Sequence, residues 1–400
     1  MRYFLASLIL VSNVALLGAP ALRAASPSAR QIYAPLWQRP VTDQALCLLT
    51  IFLPAQEEKG CVSWTRRESA GPAFHPQIGS VLVGGSDAKL HSFSAKDGAL
   101  QYEKDLPGAL VAQPIFDESA AYFGTDEGHV LRVNVITGDT KWDAEVDAEV
   151  TEPAVVSGDI VLVITGLDSV YAFSRQDGSP LWVHKHPLPP GITLRGQARP
   201  LVLEKNIEGE KKSLVFVGHA TGRMTVLELN SGNVVTEVEV GQGDSFVDVD
   251  TDPIHLSGVV VAASQASGIR AFNDANFAKV WELKEPGVVR LAKADDVTLI
   301  AAGSKKAMGI DARTGKIMWS FTFEKGAPTR ILVKDDRAIF ASDLGALFVL
   351  NAQTGEPLQY WGSGLGIAAD PYIVGDMLLL VTVPGRLFAF SSAFSGIAQK

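Results

Sequence analysis

Two groups of polar residues in this sequence carry side chains that can bind metal ions. His184 and His186 are two residues apart, and acids alternate along Asp248-Val249-Asp250-Thr251-Asp252. A zinc site needs three or four ligands, and the other histidines are scattered along the chain. A calcium-binding EF-hand loop that began at Asp248 would need glycine at its sixth place and glutamate at its twelfth. The chain has proline and valine there, so neither group predicts a metal site.

The sequence also lacks a pattern for catalysis. The segment Gly362-Ser363-Gly364-Leu365-Gly366 is rich in glycine, but a phosphate-binding loop needs a strand–loop–helix context. There is no G-x-S-x-G motif for a nucleophilic serine. We therefore predict no catalytic residues, no cofactor and no enzymatic activity.

A short turn with a glycine recurs along the chain. Consecutive copies of the glycine are 40 residues apart in three intervals and 54 apart in one. The copies are Asp97-Gly98, Thr137-Gly138, Asp177-Gly178, Ser231-Gly232, Thr314-Gly315 and Thr354-Gly355. A copy that has lost its glycine at residues 274–277, and a last one at Ser395-Gly396, bring the number to eight.

Each turn lies between two segments with the pattern of β-strands. Alternating apolar residues precede the turn, and an aromatic residue follows four places after most of the glycines; these are Tyr102, Trp142, Trp182 and Trp319, with Trp281 in the worn copy. A period near 40 with about four short strands per unit is typical of a β-propeller blade. The sequence predicts an all-β fold, an eight-bladed β-propeller of four-stranded blades in which the aromatics pack between blades.

The last copy ends without an outer strand of its own. Half a repeat stands near the start of the chain, at Gly60-Cys61-Val62-Ser63-Trp64. We therefore expect an N-terminal strand at residues 61–66 to complete the last blade, because closing the ring removes an exposed sheet edge. This gives a propeller over residues 60–400 and a lead segment over residues 26–59.

The first 25 residues have the features of a signal peptide. Arg2 precedes the apolar residues 4–17, and Ala19-Pro20-Ala21 fits a cleavage site. The mature chain is predicted to be exported and to lack a transmembrane segment. Its net charge of −9 argues against nucleic acid as a partner. The two cysteines, Cys47 and Cys61, form either a disulfide, which export favours, or two buried thiols.

One interval of the repeat carries an insertion. The longer spacing between Gly178 and Gly232 falls in residues 187–212, which include Ile192 and Leu194 in a loop framed by proline and glycine. Insertions in repeat proteins map to loops on one face, which often binds a partner. The two apolar side chains either fold back onto the propeller or stand exposed as contacts for a partner.

The repeat resembles the pyrroloquinoline-quinone-type propeller repeat, and the chain is most similar to the BamB family. The residues that carry this resemblance are Ile192-Thr193-Leu194-Arg195-Gly196 with Pro200, and Val247-Asp248-Val249-Asp250-Thr251 with Pro253. The similarity spans roughly residues 60–396.

The resemblance implies a non-catalytic scaffold subunit of the outer-membrane β-barrel assembly (BAM) complex. In that family the two loops form the docking surface for the POTRA domains of BamA. Here Ile192 and Leu194 would be apolar anchors, Arg195 would hydrogen-bond to BamA, and Asp248 and Asp250 would position Arg195 or bind the partner. Unfolded outer-membrane proteins would be a second kind of partner. The protein would lie in the periplasm, at the inner face of the outer membrane.

Two other functions share the repeat. Quinoprotein dehydrogenases bind the quinone and calcium, but they are typically longer and carry an adjacent pair of cysteines, which this chain lacks. A periplasmic ligand-binding propeller is the other alternative. The chain also departs from the BamB family, whose members are commonly lipoproteins, because it has no cysteine at the cleavage point.

Overall fold

The strands among the described residues form eight separate four-stranded antiparallel sheets. The computed structural model describes residues 33–41, 69–189, 197–207, 210–243, 245–323, 326–363 and 365–392. All of them belong to one unit, Gln31–Lys400. The predicted signal peptide, both cysteines, and Ile192, Leu194 and Arg195 lie outside the described residues.

Each blade has four strands. The strands follow one another in chain order, except that the last blade takes β1 as its fourth strand. Blades 1 to 3 contain β2 (Ala73–His75), β3 (Ser80–Gly84), β4 (Lys89–Ser94), β5 (Leu100–Asp105); β6 (Ile115–Asp117), β7 (Ala120–Gly124), β8 (His129–Asn134), β9 (Thr140–Glu145); and β10 (Val155–Ser157), β11 (Ile160–Ile164), β12 (Ser169–Ser174), β13 (Pro180–Lys185). Blades 4 and 5 contain β14 (Leu201–Ile207), β15 (Glu210–Gly218), β16 (Arg223–Glu228), β17 (Val234–Glu239); and β18 (Ile254–Leu256), β19 (Val259–Ser264), β20 (Gly268–Asn273), β21 (Lys279–Leu283). Blades 6 to 8 contain β22 (Val288–Lys293), β23 (Thr298–Gly303), β24 (Lys306–Asp311), β25 (Ile317–Thr322); β26 (Leu332–Lys334), β27 (Arg337–Ala341), β28 (Ala346–Asn351), β29 (Pro357–Gly362); and β30 (Tyr372–Val374), β31 (Met377–Val381), β32 (Arg386–Ser391), β1 (Ala34–Pro40).

The core is divided into layers between neighbouring blades. Among the described residues, eight apolar clusters each combine side chains of two adjacent sheets. The second strand of each blade is mostly buried, as its apolar sequence predicts. In blade 4 this holds only for the last five residues of β15, because residues 210–213 are exposed or half-buried. No helix among the described residues is long and apolar enough to cross a bilayer.

The repeated aromatic and glycine residues interlock successive blades. Trp319 of blade 6 donates its indole N–H to the carbonyl oxygen of Ala352 in blade 7, at 3.1 Å. The same ring covers Gly355, where a Cβ atom would lie 2.3 Å from the Trp319 ring and where φ is +71°. Glycine fits here because it has no Cβ atom to meet the ring and readily adopts a positive φ. The 40-residue period of the sequence therefore reflects the packing of an aromatic residue of one blade against the turn glycine of the next.

Blades 1, 4 and 7 have no tryptophan at this position, and blade 4 reaches the same packing in another way. Blade 4 has Thr236 where its neighbours have an aromatic, and the turn of blade 5 has Phe277 instead of glycine, at φ +61°. The Phe277 ring packs against Phe216 of blade 4, with the centroids 6.2 Å apart. The aromatic at this junction thus comes from the turn, and the loss of tryptophan and the loss of glycine compensate each other.

The ring is closed by an N-terminal strand, as the sequence predicts, but by a different segment. β1 pairs antiparallel with β32, from Ala34 with Ser391 to Pro40 with Arg386. The prediction that residues 61–66 provide this strand was therefore wrong. The spacing between glycine and tryptophan was the misleading signal. The turn glycine packs against the aromatic residue of the preceding blade, so the tryptophan of a closing strand does not need a glycine in front of it.

Trp37 of β1 is the aromatic residue that blade 8 contributes. Its indole N–H donates to the carbonyl oxygen of Ala95 in blade 1, at 3.0 Å, and its ring covers Gly98. Gln359 of blade 7 holds the start of the closing strand, because its side-chain amide both accepts from and donates to the backbone of Tyr33, at 2.9 and 3.0 Å.

Candidate partner-binding face

One end of the propeller gathers the connections that lead from each blade to the next. We call this end the connection face; it also carries the turn between the second and third strands of every blade. Backbone hydrogen bonds join the two kinds of loop, such as the bond of 3.1 Å from Val249 N to His219 O. Of the predicted insertion, residues 201–207 and 210–212 belong to β14 and β15. Its described residues 187–189 and 197–200, between β13 and β14, and the segment before β18 belong to the connection face.

The two ends of the insertion are held close to the segment before β18. His186 precedes the insertion, and its ring stacks on His219, with the centroids 3.9 Å apart; His219 in turn accepts the hydrogen bond from Val249. Arg199 lies at the end of the part between β13 and β14, and its backbone N–H donates to Oδ1 of Asp252 at 2.9 Å. The loop with Ile192, Leu194 and Arg195 therefore starts and ends beside the predicted aspartate segment.

Asp248 is completely buried. The residues around it are fixed: Val249 packs into the cluster between blades 4 and 5, and the Thr251 hydroxyl bonds both to N and to O of Ala263, at 2.9 and 3.1 Å. A buried carboxylate in such a segment shapes the loop. Of the two roles that the resemblance implies for Asp248, this burial favours positioning over direct contact with a partner.

Asp250 lies in a more open position. Its side chain is half-buried, and its Oδ1 atom has no hydrogen-bond partner among the described residues. Burial raises the pKa of this carboxyl to about 6, and the charge of Asp248 adds to the rise, while Arg290 opposes it. Because this oxygen is itself buried, the unpaired atom lowers stability unless another residue supplies a donor.

Large apolar side chains are exposed beside the same loops. Leu167 is 44% exposed in the turn of blade 3, Leu188 is 52% exposed at the start of the insertion, and Phe246 is 43% exposed. Phe246 has a φ of +56°, which is uncommon for a bulky residue. An apolar group surrounded by charge is typical of a protein-binding surface.

An ion cluster lies at the mouth of the central channel on this face. Arg330 of blade 7 reaches the carboxylates of Asp252 at 3.0 Å, Asp370 at 3.5 Å and Glu152 at 3.6 Å. Burial alone would lower the pKa of Arg330, but the three carboxylates outweigh it and raise that pKa. Burial and the neighbouring Asp252 raise the pKa of Glu152. One guanidinium thus joins blades 3, 5, 7 and 8 across the axis.

Below this cluster, the channel widens into a cavity of about 600 Å³. Its walls come from the inner strands of blades 3 to 7, with Arg199, Asp252 and Arg330 at the charged end and apolar side chains along the strands; the latter include Val155, Leu201, Ile254, Ala292 and Ile331.

The sequence analysis missed this ion cluster, although a signal was present. A polar residue followed by proline recurs before the inner strands, in Gln113-Pro114, Glu152-Pro153, Arg199-Pro200, Asp252-Pro253 and Asp370-Pro371. In a propeller every inner strand borders the axis, so residues at equivalent places in different blades meet there. Arg330 is followed by isoleucine instead of proline, so this pattern does not include it.

Comparison with known proteins identifies the family. The family model described as "Outer membrane protein assembly factor BamB" matches residues 36–152, 124–320 and 303–397, which together span most of the chain. The chain belongs to the BamB family. A BamB of Burkholderia pseudomallei is 24% identical over 328 residues, which are 78% of this chain and 81% of the relative. A BamB of Shewanella oneidensis is 24% identical over 303 residues, 73% of each.

Solved structures agree on the fold. BamB from Moraxella catarrhalis superimposes with a TM-score of 0.72 at 17% identity, covering 90% of this chain and all of that one. The quinohemoprotein alcohol dehydrogenase from Comamonas testosteroni gives a TM-score of 0.65 at 12% identity, covering 90% of this chain and 76% of the enzyme. A BamB and a quinohemoprotein alcohol dehydrogenase thus share this fold, so the fold alone does not distinguish between their functions.

Proposed function

We propose that this protein is a non-catalytic scaffold of the outer-membrane β-barrel assembly machinery that docks onto the POTRA domains of BamA through its connection face. The observation that carries the proposal is the placement of the insertion. Both of its described ends are held beside the segment with Asp248 and Asp250, which supports the proposal that the two sequence motifs of the BamB family act together. Through this contact the protein would help in the assembly and insertion of β-barrel proteins.

Each element of the face has a part in this docking. Ile192 and Leu194 would bury apolar surface against the partner, together with the exposed Leu188 and Phe246. Arg195 would donate charge-assisted hydrogen bonds, which are stronger and more directional than neutral ones. Asp250 would receive a donor of the partner or hold Arg195, and the buried Asp248 would shape the loop.

The axial ion cluster supports a scaffold over a quinoprotein dehydrogenase. A calcium-dependent quinone site needs free oxygen ligands for a hard cation. In this chain Glu152, Asp252 and Asp370 all contact the guanidinium of Arg330, so a metal ion would have to displace a cation that already occupies the site. The cluster ties four blades together, and we assign it a structural role.

The proposal predicts a specific loss of binding after charge reversal in the insertion. Arg195→Glu should reduce co-purification of BamA about 100-fold or more, because it removes the hydrogen bonds and places like charge near Asp250. The measurement is affinity isolation from membranes, with BamA quantified by mass spectrometry and the fold checked by circular dichroism. Lys316→Glu is the control, since Lys316 is exposed in the turn after β24, at the opposite end of the propeller. Undiminished BamA recovery with Arg195→Glu would exclude this docking surface.

The same proposal places the protein in the periplasm, peripherally bound at the inner face of the outer membrane. Cell fractionation should recover it with outer membranes in cells with BamA, and the Arg195→Glu variant should move to the soluble periplasmic fraction. Recovery of the wild-type chain in the cytoplasm would contradict the predicted export.

A further inference from the structure

The guanidinium of Arg199 lies in the central channel without a partner among the described residues. Arg199 is half-buried and lines the cavity together with Asp252 and Arg330. Its backbone N–H donates to Oδ1 of Asp252 at 2.9 Å, whereas its side chain makes no hydrogen bond or ion pair within the described ranges. Residues 190–196 of the neighbouring insertion contain no acidic residue. The N–H donors of this guanidinium are therefore available to a ligand.

The carboxylates whose charge acts on Arg199 are held by another arginine. The Arg330 guanidinium lies 3.0 Å from Asp252, 3.5 Å from Asp370 and 3.6 Å from Glu152. Burial and the positive charge of Arg330 lower the pKa of Arg199, and this effect outweighs the three carboxylates. Arg330, by contrast, has its pKa raised by the same carboxylates. Of these two cations in the channel, only Arg330 is compensated by its contacts with the described residues.

An apolar wall extends from the Arg199 guanidinium along the inner strands. Val155, Leu201, Ile254 and Val333 line the cavity and are half-buried, so part of their apolar surface is open to a ligand. The cavity of about 600 Å³ falls within the range of small-molecule sites, about 300–1,000 Å³. Such sites are lined mostly by apolar side chains, with a few polar groups that fix the orientation of the ligand.

The free guanidinium and the apolar wall together define a class of ligand. A carboxylate accepts two parallel hydrogen bonds from a guanidinium, and an apolar chain is stabilised when it covers the apolar wall. Burial and the charge of Asp252 raise the pKa of Glu152, which reduces the negative charge that a carboxylate ligand meets here. A cation would be repelled by Arg199, and a small anion would leave the wall uncovered.

We propose that the central channel binds one amphiphilic carboxylate, a molecule with a single carboxylate head and an unbranched apolar chain. Arg199 binds the head at the connection face, and the chain lies along the inner strands of blades 3 to 7. Arg330 keeps its structural role, because its donors are already used within the fold. This site does not rest on docking to BamA, since ligand binding is measured on the isolated protein.

The experiment is calorimetric titration of the untagged mature chain with sodium decanoate in detergent-free buffer. We expect saturation at one decanoate per chain. Decan-1-ol should bind at least 10-fold more weakly, because it offers the guanidinium no charge-assisted hydrogen bond. Acetate should also bind at least 10-fold more weakly, because it covers none of the apolar wall.

A variant of the anchoring residue separates ligand binding from stability. Arg199→Gln should weaken decanoate binding more than 10-fold and leave the binding of decan-1-ol unchanged, whereas damage to the fold would weaken both. Arg223→Gln is the matched control, because Arg223 pairs with Glu237 at 3.0 Å and does not line the channel. It should bind decanoate as the wild type does.

A second measurement does not depend on the variants folding. Crystals of the wild-type chain grown with decanoate that carries bromine at the end of its chain should show an anomalous bromine peak between the inner strands. The proposal is overturned if the wild type shows no saturable decanoate binding, if folded Arg199→Gln binds decanoate as tightly as the wild type does, or if the bromine lies outside the channel.

Discussion

The aspartates of this propeller differ in whether a positive charge or a hydrogen-bond donor stabilises their ionised form. Asp311 is held by Arg313, whose guanidinium lies 2.9 Å away, and by its backbone N–H; together these contacts lower the pKa of Asp311 to about 2. The Oδ1 atom of Asp250 has no hydrogen-bond partner among the described residues. Burial outweighs the effects of Arg290 and of the Asp250 backbone N–H, and it raises the pKa of Asp250 to about 6. The first aspartate stabilises the fold when it is ionised, and the second opposes folding when it is ionised.

This difference predicts opposite effects of amide substitution on stability. The pKa of Asp250 is higher in the folded than in the unfolded chain, so its ionisation destabilises the fold above pH 6 and has no effect below about pH 4. Asp250→Asn should therefore increase the free energy of unfolding by about 1–2 kcal/mol at pH 7.5, and this gain should vanish near pH 4. Urea unfolding at several pH values measures it.

Asp311→Asn is the control for this series. Because the pKa of Asp311 is lowered on folding, the variant should be less stable than the wild type at neutral pH, and the loss should shrink as the pH falls towards 2. If Asp250→Asn gives no stabilisation at pH 7.5, Asp250 is already paired, which would point to Arg195 as its donor.

At the scale of strands and turns, the contact between an aromatic and a turn glycine explains why the fold was predictable. Both residues are local in sequence and recur in most blades, so the period of 40 was visible without a structure. The axial ion pairs of Arg330 join residues from different blades. A polar residue before proline marks the carboxylates locally, but recognising the pairs also requires knowing which repeat positions meet at the axis.

The junction of blades 4 and 5 allows this contact to be rebuilt. Thr236→Trp alone should destabilise the protein, because the new ring meets Phe277, and Phe277→Gly alone should leave a cavity beside Phe216. The double variant restores the arrangement of the other blades. We expect a favourable coupling energy of about 1–3 kcal/mol in a double-mutant cycle measured by urea unfolding. Additive effects of the two substitutions would show that the two positions do not touch.

At the scale of the whole molecule, one strand from the N-terminal region holds the ring closed. β1 was assigned to the wrong segment from the sequence because its tryptophan has no glycine before it, whereas the need for a closing strand was correctly predicted from the incomplete last copy. Its attachment has three parts: the ladder with β32, the contact of Trp37 with blade 1, and the grip of Gln359 on Tyr33.

The two hydrogen bonds between Gln359 and the Tyr33 backbone allow a test of how the ring is closed. Gln359→Ala removes two hydrogen bonds to the Tyr33 backbone and should lower the free energy of unfolding by about 1–3 kcal/mol. It should also increase proteolytic cleavage near the N-terminus of the mature chain. Gln353→Ala is the comparison, since Gln353 also bonds between blades, to Asp295 at 2.6 Å, but away from the closure. Faster cleavage near the N-terminus in both variants would contradict a special role for Gln359.

The distance between the partners of the closing strand determines the order in which the molecule assembles. Tyr33 and Gln359 are separated by 326 residues, whereas each of the first seven blades is built from one continuous stretch of chain. β1 is therefore the first strand to be synthesised and the last to find its partner. Until β32 exists, it remains an extended strand with an unpaired edge, available to chaperones or to wrong partners. The entropy of joining such distant segments is offset only when the other blades have brought the two ends of the ring together.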